Sequence, residues 1–453
     1  MSLAVTRVRR PAGVWPLFVV TGLAGFMTTL DNTVVTVALP SIQRDLGARL
    51  TALEWVATGY ILTFAGLMLA GGRLADVHGH RRVLLAGLGT FTVASLGAGL
   101  AGSIQVLIAA RLVQGAGAAL VLPATLAMLA GREERQRSMG VAVWMASGAA
   151  ALALGPVVGG LLSQHVHWSW VFLVNVPMGA VVMGLATVAV PAGVGGSEAG
   201  RGVDRAGTAG SVVFLAAGTF ALIHGGEYGW GSPVVVGGLV ACAGGGVVFA
   251  VAERRAREPM VDLGLFAARS FAGGVVAQVL WGLGVNGVFF YTAIFLQGVL
   301  GFTPTASGMA FVPLALLVVL VTPLAPAVER RLGAGRTVAA GLVLVALGMA
   351  LAATLQTGDG WGRLLPAVCA IGVGSALTMP LGSAVLGAVP ESRAGVAGGI
   401  FSVSREISGL FGIAAVGVVV QAGGGFAAGY AAGLLVAAGL VLVGALVSLV
   451  ALP

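Results

Sequence analysis

Charge is scarce in this chain. Only 9% of its 453 residues are Asp, Glu, Lys or Arg, while 58% are hydrophobic. A typical soluble domain carries ~25% charged residues, and a soluble protein of this length could not cover its surface with so few. Lysine is absent altogether: all 24 basic residues are arginine. That absence excludes the P-loop lysine of an ATP site and the Schiff-base lysine of a pyridoxal enzyme. Cysteine is nearly absent. Cys242 and Cys369 lie in apolar runs and suggest neither a disulfide framework nor a zinc site. The histidines at 78, 80, 165, 167 and 224 form no ligand set at helical spacing, and "HVH" at 165 to 167 is at most a weak metal motif. No cofactor and no metal are expected.

What is present is a series of long apolar runs. A membrane-spanning helix needs ~20 predominantly apolar residues. Runs of that kind fall near 15–38, 53–71, 83–103, 105–129, 138–163 and 170–190. The polar stretch "PAGVGGSEAGRGVDRAG" follows, then runs near 208–225 and 232–251, then the charged linker "AERRAREPMVDLGLFAARS". Further runs lie near 271–296, 305–327, 336–355, 364–384, 395–419 and 426–450. The reading is an all-α polytopic membrane protein with fourteen spans arranged as six, two and six. The corresponding domains are an N-terminal bundle over 1–190, a linker with two additional spans over 191–270, and a C-terminal bundle over 271–453. The first run is long and has no small-residue cleavage site after a short core, so it is expected to be retained.

Arginine placement orients the chain. If the N-terminus is cytoplasmic, only Arg44, Arg49 and Arg363 fall outside, and Arg111 and Arg405 fall within runs. All other arginines lie on the cytoplasmic side. The positive-inside rule therefore places both termini in the cytoplasm, in the cell membrane. It also accounts for the net charge of +8 without nucleic acid. Six plus six spans around a midplane site is a common transporter plan built from repeats, although residue-level identity between the halves is not visible here.

Within "GFMTTLDNTVVTVALPSI" stands Asp31, a carboxylate inside a spanning run. Leaving it in hydrocarbon would cost several kcal/mol, roughly 3 on insertion scales. It lies ~24 Å along its helix from the cytoplasmic end. Arg111, in "LIAARLVQGAGAALVLPATLAML", lies ~10 Å from the outer end of an antiparallel helix. The two reach comparable depth and can pair in a water-accessible cavity, either as a titrating group or as a structural ion pair. A second intramembrane pair is Arg405 and Glu406, with Glu406 ~15 Å from the cytoplasmic end. Neighbours in a helix point ~100° apart, so one of the two is expected to face the cavity and the other not.

The loop "GGRLADVHGHRR" has Gly72 and Gly79 for a tight backbone, Asp76 to face a helix N-terminus, and Arg81. It can equally be an ordinary charged loop. In "GAAALALGPVVGGLL", Pro156 bends the helix, and Gly155, Gly159 and Gly160 permit close helix approach. Candidate apolar and polar anchors for a small molecule are Phe26, Met27, Trp144, Met145, Trp281, Asn286, Tyr291 and Gln297. Each can instead pack against helices or lipid.

These motifs together resemble the major facilitator superfamily, specifically its fourteen-helix drug:proton antiporter family of multidrug efflux transporters. "LDNTVVTVALPSI" is similar to that family's first-helix signature, with Thr36 where Asn is usual. "GGRLADVHGHRR" resembles the superfamily loop motif, with Val77 and His80 replacing the usual arginines. "RLVQGAGAA" closely resembles the fourth-helix motif through Arg111, Gln114, Gly115 and Gly117. "GPVVGG" resembles the fifth-helix motif of exporters. "WSWVFLVNVPMG" resembles the opening of the sixth helix, with Ser169 where Arg is usual. "FLQGVLGFTPTASGMAFVP" and "VPESRAGVAGG" resemble features of the second half.

The resemblance implies two six-helix bundles plus two central helices lying outside the transport path. It implies alternating access, with protons driving a hydrophobic small molecule, cationic or neutral, outward. Asp31, Arg111 and Glu406 would carry proton coupling. Gly72, Asp76, Gly79, Arg81, Gly155, Pro156, Gly159 and Gly160 would carry gating, with Asp76 meeting the start of the thirteenth helix when the cytoplasmic side closes. The rivals are a dedicated exporter of one metabolite or antibiotic on the same fold and, more remotely, a membrane enzyme or sensor. An enzyme should show a clustered nucleophile and base, and a sensor a soluble input domain; the sequence offers neither. The expected partners are a small-molecule substrate, protons and the lipid bilayer, with no nucleic acid and no ATP.

Overall fold

The computed structural model describes residues 14–190, 204–256, 261–390 and 393–453. The arginines at 7, 9, 10, 201 and 257, and most of the polar stretch that opens the linker, lie outside the described residues. A backbone in lipid must satisfy its own polar groups, so a span is either a helix or part of a closed barrel. Among the described residues, fourteen helices are long and apolar enough to cross a membrane. They are α1 Val14–Leu46, α2 Leu50–His78, α3 His80–Gly99, α4 Ile104–Ala130, α5 Glu134–His165, α6 Trp170–Ala189, α7 Arg205–Tyr228, α8 Pro233–Arg255, α9 Arg269–Gly298, α10 Pro304–Leu332, α11 Ala334–Ala352, α12 Trp361–Gly387, α13 Ala394–Ala422 and α14 Phe426–Ala451. The runs read from the sequence extend by several residues at many ends, because polar and charged residues continue the helices beyond the apolar core.

Local chemistry sets the helix starts. Ser103, Asp204, Ser232 and Thr303 accept from the backbone N–H groups of Val106, Gly207, Val235 and Ala306. Such caps satisfy donors that a helix start otherwise leaves bare. Pro233 and Pro304 follow two of them, at a position where no N–H is needed. Between α2 and α3 the chain turns on Gly79, whose φ of 90° suits glycine. Beside it, the Arg81 guanidinium donates to the Thr187 carbonyl at 2.7 Å, placing a cation at the C-terminal end of α6. Asp76 is exposed.

The helix pairing repeats. α1 packs on α5, α2 and α3 on α4, and α3 on α6. In the second half α9 packs on α13, α10 and α11 on α12, and α11 on α14. The same neighbours recur at each equivalent position, although the two halves share no obvious residue pattern. The bundles meet along α2 with α13 and along α5 with α10, contacts that the same exchange of halves interconverts. The additional pair is a close crossing in which Gly210 and Gly245 each sit against the partner helix backbone. α7 rests on both α2 and α13. α8 flanks it outside, with Val240 66% and Val247 62% exposed, as an apolar helix against lipid requires.

Two faces result. One carries most of the arginines; the other is arginine-poor. Among the described residues, a set of hydrogen bonds joins the bundles in the arginine-poor half. Gln297 donates to the Val37 carbonyl at 2.9 Å. The Thr305 N–H donates to Gln164 at 3.0 Å, the Tyr291 hydroxyl bonds to Glu54, and Gln421 donates to Glu54. The α5–α10 seam is equally tight there. A Cβ at Gly160 would stand 2.5 Å from the Pro304 carbonyl oxygen, and one at Gly308 would collide with the Pro156 carbonyl. The arginine-poor face is therefore sealed.

Candidate functional site

Asp31 sits one turn before Val34 on a face of α1 that is buried throughout the bundle, at 1% exposure. Arg111 on α4, also fully buried, forms an ion pair with it. The sequence-based expectation of a pair at matched depth is met in the geometry, with one correction. The pair is not in a water-accessible cavity; it is sealed inside the N-terminal bundle. Asp31 accepts from Asn175 Nδ2 at 2.7 Å and from Gln114 Nε2 at 3.1 Å. Arg111 donates through Nε to the Val56 carbonyl on α2 at 3.0 Å and through Nη1 to Gln114 at 3.0 Å. Gln114 in turn donates to Ser95 Oγ at 2.7 Å. The guanidinium lies 4.5 Å over the Tyr60 ring, a cation–π contact. One charge pair thus binds α1, α2, α3, α4 and α6 together. Buried charges persist only when paired and hydrogen-bonded, and both conditions hold. The other Arg111 nitrogen, Nη2, is enclosed with no partner.

Arg405 and Glu406 on α13 bond to each other at 3.1 Å. Their side chains are 55% and 17% exposed, so Arg405 lies in the open and Glu406 is the more enclosed. The expectation that adjacent residues serve different surroundings holds only in part. The long guanidinium reaches back across the helix and offsets its neighbour's charge. Gly409, one turn beyond Glu406, packs against the Asn286 side chain of α9.

The anchors proposed from sequence separate into groups. Phe26, Trp144, Trp281 and Asn286 are half-buried along α1, α5 and α9. The indole N–H groups of Trp144 and Trp281 are enclosed without acceptors. Asn286 donates back to the Gly282 carbonyl at 2.9 Å. Met145 is exposed. The other three do not line an open site in this conformation. Met27 is fully buried in the bundle core, Tyr291 is fully buried against Glu54, and Gln297 is tied to α1. Hydrophobic or aromatic type alone could not separate lining from packing.

The glycines of α5 also divide. Gly155 lies against Thr33, and a Cβ at Gly159 would stand 2.5 Å from the Val34 carbonyl oxygen, so both serve α1–α5 packing within one bundle. Gly160 faces the other bundle. Gly72 approaches Pro123 loosely.

Two features escaped the sequence reading. Glu54 opens α2 and is fully buried between the bundles. It stands at the edge of an apolar run, where the sequence alone gives no sign of burial between bundles. The other is a cavity of about 390 Å³ between α2, α7, α8, α9 and α13, lined by Leu69, Phe214, Phe249, Phe266, Ile400 and Ser404 among others. None of the anchors proposed from sequence lines it.

Known proteins share this architecture. The chain resembles a crystal structure of a peptide transporter of the POT family in complex with sulfate, with a TM-score of 0.71 at 15% identity over 98% of this chain and 95% of that one. It also resembles a POT family transporter in complex with 5-aminolevulinic acid, with a TM-score of 0.73 at 14% identity over 98% and 96%. At such identity the likeness speaks for the fold. Curated relatives are nearer. The multidrug resistance protein Stp of Mycobacterium tuberculosis is 35% identical over 414 residues, 89% of this chain and 75% of that protein. The cephamycin export protein CmcT of Amycolatopsis lactamdurans is 38% identical over 416 residues, 88% and 84%. The tetracenomycin C resistance and export protein of Streptomyces glaucescens is 32% identical over 413 residues, 90% and 76%. The family model of the Major Facilitator Superfamily matches residues 21–413. Fourteen apolar helices, a repeated six-helix pairing and a match over most of the length have one reading: this chain is a multi-pass membrane protein of the Major Facilitator Superfamily.

Proposed function

We propose that this protein is a proton-coupled exporter of hydrophobic small molecules, a drug:proton antiporter working by alternating access across the cytoplasmic membrane. The names of its relatives speak of drug resistance and export. The observation that carries the reading is the state of the two faces. The arginine-poor face is sealed by hydrogen bonds and glycine-tight crossings. Yet Arg405, ~16 Å inside α13 from the arginine-rich end, has a 55% exposed side chain. A guanidinium at that depth needs water, so the space between the bundles opens toward the arginine-rich face. By the positive-inside rule that face is cytoplasmic, and the conformation is one that would admit a substrate from inside.

Asp31 is the proposed coupling group. A proton on Asp31 cancels the charge that holds Arg111, and five helices of one bundle share that pair. The charge change is therefore converted into a rearrangement of the bundle. The substrate would lie between Phe26 and Trp144 on one side and Trp281 and Asn286 on the other, where the two unpaired indole donors supply polar anchors in an apolar site. The test is efflux of fluorescent compounds of different charge from vesicles carrying the purified protein, with and without an imposed proton gradient. Gradient-dependent efflux is expected; efflux indifferent to the gradient rejects proton coupling. A second reading is a dedicated exporter of one antibiotic, favoured by relatives named for single compounds. The same compound panel separates the two by breadth.

A further inference from the structure

We propose that Glu54 is a proton-operated latch on the arginine-poor gate: the gate closes over the neutral carboxyl and opens when the proton leaves. The inference builds on the alternating-access reading and concerns a residue outside the Asp31 network. Glu54 is 0% exposed and stands where α2, α9 and α13 meet. Gly417 on α13 leaves room for it; a Cβ there would lie 2.8 Å from Glu54 Oε1.

The hydrogen bonds carry the argument. Tyr291 Oη lies 2.6 Å from Glu54 Oε1 and 3.3 Å from the Ile413 carbonyl oxygen. A phenol has one proton to donate. Both contacts are satisfied together only if Glu54 brings its own proton. The carboxyl then donates to Tyr291, Tyr291 donates to Ile413, and Gln421 Nε2 donates to Glu54 Oε1 at 3.1 Å. An ionised Glu54 would accept the tyrosine's single hydrogen bond, leave the Ile413 contact unmade, and hold a charge whose second oxygen, Oε2, is enclosed with no hydrogen-bond partner.

Among the described residues, no cation pairs with the carboxyl to offset that charge. From α7 come His224 and Glu227. Glu227 is engaged by Arg49 at 2.7 Å and by His224 at 3.3 Å, and His224 Nε2 accepts from Trp55 at 3.2 Å. From α9 comes Tyr291 and from α13 Gln421. From α4, Arg111 reaches the Val56 carbonyl on the same helix, but Asp31 matches its charge. Burying an unpaired carboxylate costs several kcal/mol, far more than burying the acid. With the gate open, the carboxylate takes a proton from water at that face and the acid forms. Closing then buries an uncharged group. The Arg111 bond to Val56, two residues from Glu54, places the Asp31 pair and this latch on one turn of α2.

The test needs neither substrate nor gradient, so its failure is distinct from failure of the exporter reading. Thr305, half-buried at the α5–α10 seam, becomes a reporter as Thr305→Cys with Cys242→Ser and Cys369→Ser. Its rate of reaction with a water-soluble thiol reagent in nanodiscs is divided by that of Gly231→Cys, an exposed loop position, to remove intrinsic thiol ionisation. One linked proton moves an equilibrium up to tenfold per pH unit. The ratio should therefore rise at least ~tenfold from acidic to alkaline pH. Glu54→Gln, permanently neutral and able to donate to Tyr291, should hold the ratio low at every pH. Tyr291→Phe removes the acceptor of the carboxyl proton and weakens the closed form, so opening should move to lower pH. A ratio independent of pH in the parent overturns the proposal. So does Glu54→Gln with the parent's pH dependence. If Glu54→Gln fails to fold, an unchanged opening pH in Tyr291→Phe overturns it equally.

Discussion

At the scale of single residues, the sealed pair of Asp31 and Arg111 raises a question that mutation can divide. Removing one member of a buried ion pair leaves an uncompensated charge and typically costs ~3–5 kcal/mol. Asp31→Asn and Arg111→Ala should therefore each lower the thermal midpoint of the purified protein and abolish gradient-driven efflux. Asp31→Asn combined with Arg111→Gln removes both charges and leaves neutral groups able to bond with Gln114 and Asn175. That double variant should recover much of the stability. If Asp31 serves coupling, efflux should stay lost despite the recovery; efflux returning with stability would make the pair purely structural. This site was legible in part. A carboxylate and a guanidinium in apolar runs are unmistakable, and helix rise matched their depth. Their partners Ser95 and Asn175 were not foreseen, because small polar residues in a membrane helix are common and nothing in the chain ties them to Asp31 before the helices are packed.

Among the helices, the fourteen spans were legible because hydrocarbon permits no other way to satisfy a lipid-exposed backbone. Their pairing was not, since ~20 apolar residues carry little information about which neighbour they meet. Glycines show the same limit. Gly155, Gly159 and Gly160 read alike in "GPVVGG", yet the first two pack inside one bundle and the third packs between bundles. The consequences of bulk should differ accordingly. Gly159→Leu presses on the Val34 backbone of α1 and should reduce the yield of folded protein. Gly160→Val and Gly308→Val press on the Pro304 and Pro156 carbonyls across the seam. Those two should fold at near-parental yield and lose efflux, because the arginine-poor gate cannot close. Thiol accessibility at Thr305→Cys, high at every pH in either background, is the check. Low accessibility with efflux intact would reduce the crossing to ordinary packing.

For the molecule as a whole, the balance of charge between the bundles decides which substrates the space between them favours. In the N-terminal bundle Asp31 and Arg111 neutralise each other out of reach of water, so this pair adds no net charge there. The C-terminal bundle contributes Glu406, offset by Arg405. A cation entering from the arginine-rich side would compete with Arg405 for that carboxylate. Two unit charges ~4 Å apart attract by about 4 kcal/mol at an effective dielectric near 20. Desolvation and displacement of Arg405 reduce this to about 1–2 kcal/mol, roughly tenfold in affinity. Glu406→Gln should thus weaken transport of a cationic dye about tenfold and leave a matched neutral dye nearly unchanged. Arg405→Gln should act in the opposite sense, strengthening cation binding because the carboxylate loses its internal partner. Transport of both dyes, normalised to folded protein, reads the result. If Glu406 instead serves only to hold α13 through its bond to Arg405, the two substitutions remove the same contact. They should then lower both dyes alike and in the same direction, which would reject a cation-selective role.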